Sequence, residues 1–192
     1  MTRKESVEIL TEENQFWIKR IVYKEIVDGD LKKFQAKSND KPNGGGARDL
    51  RFSPYGEFIE VFKEMLPNKR DKICSGEVHW IENGNEVVKT MEFKPPTNSR
   101  YNEGRIANVN VCIPKISMEY GSQDDIVLLL IQRADNQVWV HFTTKRSLEE
   151  DDSWNEYVRS EILRAFKAKR RANVAVNGYI DFTNQRSYTN GE

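Results

Sequence analysis

Two kinds of chemistry are available to this chain, and both rest on charged side chains near the ends of expected strands. Hydrolysis at a metal ion needs carboxylates, often with a lysine beside them. Glu92-Phe93-Lys94 is a Glu-x-Lys at the end of one arm of an expected hairpin, and Glu77 on the facing arm supplies a second carboxylate. The same residues also read as an ordinary cross-strand ion-pair set. The other chemistry is anion recognition. Gly44 to Gly46 follow a Pro-Asn turn signal and are flanked by Lys37, Lys41, Arg48 and Arg51. A backbone without Cβ atoms approaches another surface closely, and cations beside it favour phosphate.

A second irregular basic stretch runs from Lys94 to Arg105. Arg48, Arg51, Arg100 and Arg105 carry the fork of donors that fits guanine edges or phosphates. Lys37, Lys41 and Lys94 can neutralise phosphates, and Asn39, Asn43, Asn98 and Asn102 can pair with adenine edges. Tyr101 can stack on a base or bond to the backbone. The alternative is a pair of solvated loops whose arginines are held by Asp40, Asp49 and Glu103.

Other chemistries find little support. His79 and His141 lie on different expected hairpins and read as strand residues, because no His/Cys spacing of a metal site accompanies them. Cys74 and Cys112 form no Cys-x-x-Cys and read as small core residues. The glycine run lacks the Lys-Ser/Thr of a phosphate-binding P-loop, and there is no Gly-x-Ser-x-Gly. No cofactor is expected, except magnesium under the hydrolytic reading.

The elements that must position these residues are mainly strands. Phe16 to Val27 fits either a helical stripe or a buried strand. Asp28-Gly29-Asp30 reads as a turn, Leu31 to Lys37 as a short strand, and Leu50-Arg51-Phe52 as another. A helix is expected from Pro54, with Phe58, Val61, Phe62 and Met65 on its buried face. Residues 72–94 read as a hairpin around Asn83-Gly84. Residues 106–113 read as a short apolar strand, and 126–133 with 138–142 as a second hairpin. Ser147-Leu-Glu-Glu predicts a helix start, with Trp154, Val158, Ile162 and Ala165 along one face, and Tyr179 to Phe182 a last strand. The fold class is therefore mainly β with flanking helices (α+β). Residues 1–142 form a β-rich unit, and residues 143–192 add a helix and short strand packed on it.

The totals limit the function. Of 192 residues, 38% are hydrophobic and 31% charged, a polar but globular composition. Thirty basic and thirty acidic side chains cancel, so any nucleic-acid surface must be local. No apolar run approaches a membrane span, and no apolar signal core follows the N-terminus. The expectation is a soluble, cytoplasmic protein with no membrane partner.

Two resemblances follow from these residues. The Glu77, Glu92 and Lys94 set resembles the core of the PD-(D/E)xK nucleases, without their usual Pro-Asp. Phe34-Gln-Ala-Lys-Ser-Asn-Asp leading through the glycines to Leu50-Arg-Phe-x-Pro is similar to the opening of the EcoRII-type N-terminal domain. Ser99-Arg-Tyr-Asn-Glu-Gly-Arg-Ile106 resembles that family's second arm, with one inserted residue. Asp125-Ile-Val-Leu-Leu-Leu-Ile and Val138-Trp-Val resemble its paired strands. This second resemblance covers residues 31–142. It implies a DNA-binding pseudobarrel, an open barrel shared with plant transcription-factor domains, in which two arms enter the major groove. Lys37, Asn39 and Asp40 fall in or beside the first arm, with Arg48 beyond the glycines, and Arg100, Glu103 and Arg105 in the second. The first arm departs from the family in having Pro-Asn-Gly-Gly-Gly-Ala.

Three readings stand. The first is sequence-specific binding of double-stranded DNA, as the target sensor of a restriction or other defence system. There the cutting would belong to a separate nuclease subunit or domain, and the chain itself would not be an enzyme. The second is a small magnesium-dependent nuclease. The third is an interaction module that binds no nucleic acid.

Overall fold

A computed structural model describes residues 18–35, 48–115, 125–169 and 174–190. The described residues form one ten-stranded sheet: β1 Ile18–Glu25, β2 Leu50–Phe52, β3 Asn68–Arg70, β4 Ile73–Glu82, β5 Asn85–Lys94, β6 Gly104–Ile106, β7 Ile126–Arg133, β8 Val138–Thr144, β9 Asn177–Asp181 and β10 Arg186–Thr189. Five helices accompany it: α1 Asp28–Gln35, α2 Tyr55–Met65, α3 Val109–Cys112, α4 Lys145–Glu150 and α5 Glu156–Ala168. The strand order is β10-β9-β1-β7-β8-β4-β5-β6-β2, with β3 paired to β4. Every pairing is antiparallel except β4 with β8. The sheet curls into an open half-barrel, so the molecule is mainly β with a few helices.

The hollow of the curl holds the larger core, which includes Val22, Leu50, Phe52, Phe93, Ile106 and Leu128. Helix α2 lies across the gap between the two ends of the sheet. Its Phe58 ring meets Phe52 on β2 at 5.1 Å, Tyr179 on β9 at 6.0 Å and Tyr188 on β10 at 5.9 Å. Aromatic packing thus joins edges that no ladder connects. The helix does this because Phe58, Val61, Phe62 and Met65 recur at helical spacing and all are buried.

A second, smaller core covers the outer face of β1, β7 and β9. Helices α4 and α5 bring Leu148, Val158, Ile162 and Ala165, with Trp154 between them, against Ile21, Leu129 and Ile180. Strand β7 is therefore buried on both faces, which explains its uninterrupted Ile-Val-Leu-Leu-Leu-Ile run.

Several elements differ from expectation. Leu31 to Lys37 is not a strand where described: Asp28–Gln35 is helical. Asp28 and Asp30 occupy its first turn, where the helix dipole favours acid, and Phe34 packs edge-on against Phe142 at 5.7 Å. The expected strand over 106–113 ends at Ile106. Asn108 sits at φ 53°, in the left-handed region, and starts the short helix α3. The helix expected from Ser147 is two helices. Thr144 Oγ1 accepts from Ser147 N (3.0 Å) to cap α4, and Asn155 Oδ1 accepts from Val158 N (3.0 Å) to cap α5. Strands β3 and β10 carry no apolar alternation and were not anticipated.

Candidate nucleic-acid interface

Arg48 and Arg51 stand about fifty positions before Arg100 and Arg105, yet the fold joins their segments. Strand β2 pairs with β6 in the register Leu50↔Ile106, Arg51↔Arg105 and Phe52↔Gly104. Strand β6 pairs on its other side with β5, setting Lys94 opposite Arg105. Directly opposed residues share a face, so Lys94, Arg105 and Arg51 form one transverse row across three strands. Their neighbours Phe93, Ile106, Leu50 and Phe52 point into the core, which puts the cations on the outer face.

Like charges directly opposed repel, and three carboxylates offset this. Asp49 lies 3.5 Å from Arg105, Glu103 lies 3.4 Å from Arg51, and Glu92 lies 2.8 Å from Lys94. Glu103 also holds Arg100 at 3.1 Å, and so sits between two arginines. Four cations, Lys94, Arg105, Arg51 and Arg100, stand beside three carboxylates. The pairing expected under the solvated-loop reading is thus present for Asp49 and Glu103.

The second basic stretch is a compact double turn. Arg100 N donates to Thr97 O (2.9 Å) and Glu103 N to Arg100 O (3.2 Å). Asn102 O accepts from Tyr55 N (2.9 Å), which anchors the turn to the start of α2. Asn98, Arg100, Tyr101 and Asn102 are exposed, Tyr101 to 87%. The turn adjoins the Phe52–Gly104 end of the β2–β6 ladder. Arg48 adjoins the other end, where its carbonyl accepts from Val109 N (3.0 Å). The two basic stretches therefore leave one short ladder from its opposite ends. Lys37, Asn39, Asp40, Lys41 and Asn43 lie outside the described residues, as do Gly44 to Gly46.

Three supporting residues carry no clear signal in the sequence. Gly104 lies over the Phe93 ring so closely that a Cβ there would run into that ring and Tyr55. Lys24 points to the inner side of β1, its ammonium 5.7 Å from the Phe52 ring centre. Burial pulls its pKa below the ordinary lysine value, with Asp30 acting in the opposite direction. The available signal was a lysine in a strand position between Val22 and Ile26. Lys33 adds a brace, donating to Asp49 O (2.9 Å) and pairing with Asp30, so that α1 fixes where the chain enters β2.

The hydrolytic set is arranged differently. Glu77 opposes Thr90 and Glu92 opposes Ser75, so the two carboxylates are diagonal neighbours on the outer face, about 7–8 Å apart at the backbone. Glu92 is turned to Lys94. Among the described residues no three His, Cys, Asp or Glu side chains are grouped to hold a metal. His79 bonds to Glu86 (2.7 Å) and stacks on Trp139 at 5.5 Å. His141 is buried beside Trp154, and that burial lowers its pKa to about 4. Cys74 and Cys112 are free and buried, and burial raises the Cys112 thiol to about 12, which disfavours the thiolate a nucleophile needs. No helix among the described residues is long and apolar enough to cross a membrane. In comparisons with protein-family models, curated proteins and solved structures, none matches this chain.

Proposed function

We propose that this chain binds double-stranded DNA through the outer face of β5, β6 and β2 and the turn beside it. The observation that carries the reading is the transverse row Lys94–Arg105–Arg51, assembled from segments far apart in sequence. A row of cations on a rigid sheet suits a phosphate backbone. The exposed Asn98, Arg100 and Asn102 on the projecting turn suit base edges in a groove. On this reading the half-barrel is a DNA-binding pseudobarrel of the EcoRII N-terminal kind. Its setting is target sensing in a cytoplasmic restriction or other defence system, with cutting by a separate nuclease subunit or domain.

Fluorescence anisotropy on labelled duplexes across a salt series tests it. Binding should weaken steeply with salt and proceed without cleavage. Arg105→Ala should weaken all duplexes alike, as loss of a phosphate contact does. Arg100→Ala should cost about 1–3 kcal/mol on the selected target and relax its preference at one position. Absence of binding at low salt overturns the proposal. Magnesium-dependent cutting that Glu92→Ala abolishes would replace it with the hydrolytic reading.

A further inference from the structure

We infer that the β3–β4 turn, Arg70 to Lys72, is a third phosphate-contacting element of the same surface, an assignment that rests on the DNA-binding reading above. The strand register carries it. Arg70 opposes Ile73 in the β3–β4 pair. Cys74 opposes Phe93 in the β4–β5 pair, which sets Ile73 beside Lys94 one step further on. Lys94 opposes Arg105, and Arg105 opposes Arg51. One outer-face row therefore runs Arg70, Ile73, Lys94, Arg105, Arg51 across five strands. At about 4.8 Å per strand it spans roughly 19 Å. That exceeds the width of the major groove of B-DNA, about 12 Å. Cations at its two ends can therefore meet phosphates on both walls of a groove that the Thr97–Glu103 turn enters.

The turn is also the more open end of the row. Arg70 and Lys72 are exposed, and among the described residues no carboxylate ion pair engages them. Arg51, Lys94 and Arg105 are each held by an acid. All three residues of β3 are exposed, so this strand adds no apolar surface to the core. The hairpin closes through Asp71 at φ 54°, which holds Arg70 and Lys72 at either side of a tight turn. A charged edge strand also discourages pairing with another chain, but a charge of either sign serves that purpose, whereas phosphate binding requires a positive one.

The test compares the whole chain with R70A/K72A, R70E/K72E and the distant pair R146A/K167A on a labelled duplex of about two helical turns. R70A/K72A should lower the slope of log K against log salt by about two and affinity at low salt by on the order of tenfold. R70E/K72E should bind more weakly still, and R146A/K167A should keep the wild-type slope. All four positions are exposed, where such changes leave the fold intact. Normal binding with an unchanged slope in R70A/K72A overturns the inference while leaving the parent reading standing. An equal fall in R146A/K167A overturns it too, as an effect of total charge alone. Failure of the wild-type chain to bind removes the parent reading itself.

Discussion

The two ends of the sheet share an inner face and differ on the outer one. At the end formed by β9, β1 and β7, the outer side chains are Ile180, Ile21, Tyr23, Val127, Leu129 and Ile131, all buried under α4 and α5. At the end formed by β4, β5, β6 and β2, the corresponding positions hold Glu77, Glu92, Lys94, Arg105 and Arg51, and no helix among the described residues covers them. Trp139 marks the boundary. It opposes Ile131 on β7 and lies beside His79 on β4, with the Arg133 guanidinium 5.5 Å from its ring. One layer of apolar packing is enough to hold the second end, because its inner side chains reach the same core. Its outer face is thereby free to carry charge that would be prohibitive under a helix.

The largest test of this contrast is truncation on each side of the boundary. Leu129 is fully buried beneath α5, so Leu129→Ala should cost about 2–5 kcal/mol in urea unfolding. Glu77 is exposed on the uncovered end, and Glu77→Ala should stay within about 0.5 kcal/mol. Similar costs at both would mean that the uncovered end is buried in the solution state, and the contrast would fail.

A smaller test uses the titration of the covered end. The folded His141 has its pKa lowered to about 4 from an ordinary 6.5, through burial. As pH falls below 6.5, the unfolded chain takes up the proton first. The stability this residue contributes is complete above 6.5, is lost between 6.5 and about 4, and stays lost below. The change is on the order of 3 kcal/mol. His141→Leu should flatten that part of the urea-midpoint profile. At pH 7 it should cost little, because His141 Nδ1 is buried without a hydrogen-bond partner.

How much of this the sequence could reveal follows from the range of the interactions. Asn83-Gly84 specified its hairpin, with both residues at positive φ, because a two-residue turn is a local matter. The buried face of α2 was legible for the same reason. Helix α1 was not, because Asp28-Gly29-Asp30 has turn composition and the packing of Phe34 against Phe142 is a long-range contact. Polar strand β3 exists through pairing alone, and β10 through pairing and the packing of Tyr188 on Phe58, so neither leaves a periodic trace. For the interface, residue types identified Arg51, Lys94, Arg100 and Arg105. Their alignment in a row was out of reach, since the β2–β6 register links segments that share no local pattern. Arg70 joins that row only once two further registers are known.

The smallest effect sharpens the comparison most, because it asks what the charge on the uncovered end is for. Glu103 lies 3.4 Å from Arg51 and 3.1 Å from Arg100. If those pairs served stability, Glu103→Gln would lower the urea midpoint noticeably. The carboxylate is partly exposed, and exposed pairs of this kind contribute about 0–1 kcal/mol, so the midpoint should hardly move. For a surface built to meet phosphate, Glu103 opposes the ligand while aiming two arginines. Glutamine keeps the side-chain length and an acceptor oxygen but removes the negative charge. Glu103→Gln should therefore strengthen duplex binding at low salt by a few fold, with the gain fading as salt screens it. Weaker binding in Glu103→Gln, across all salt concentrations, would mean that the ion pairs position Arg51 and Arg100 and that aim outweighs net charge on this face.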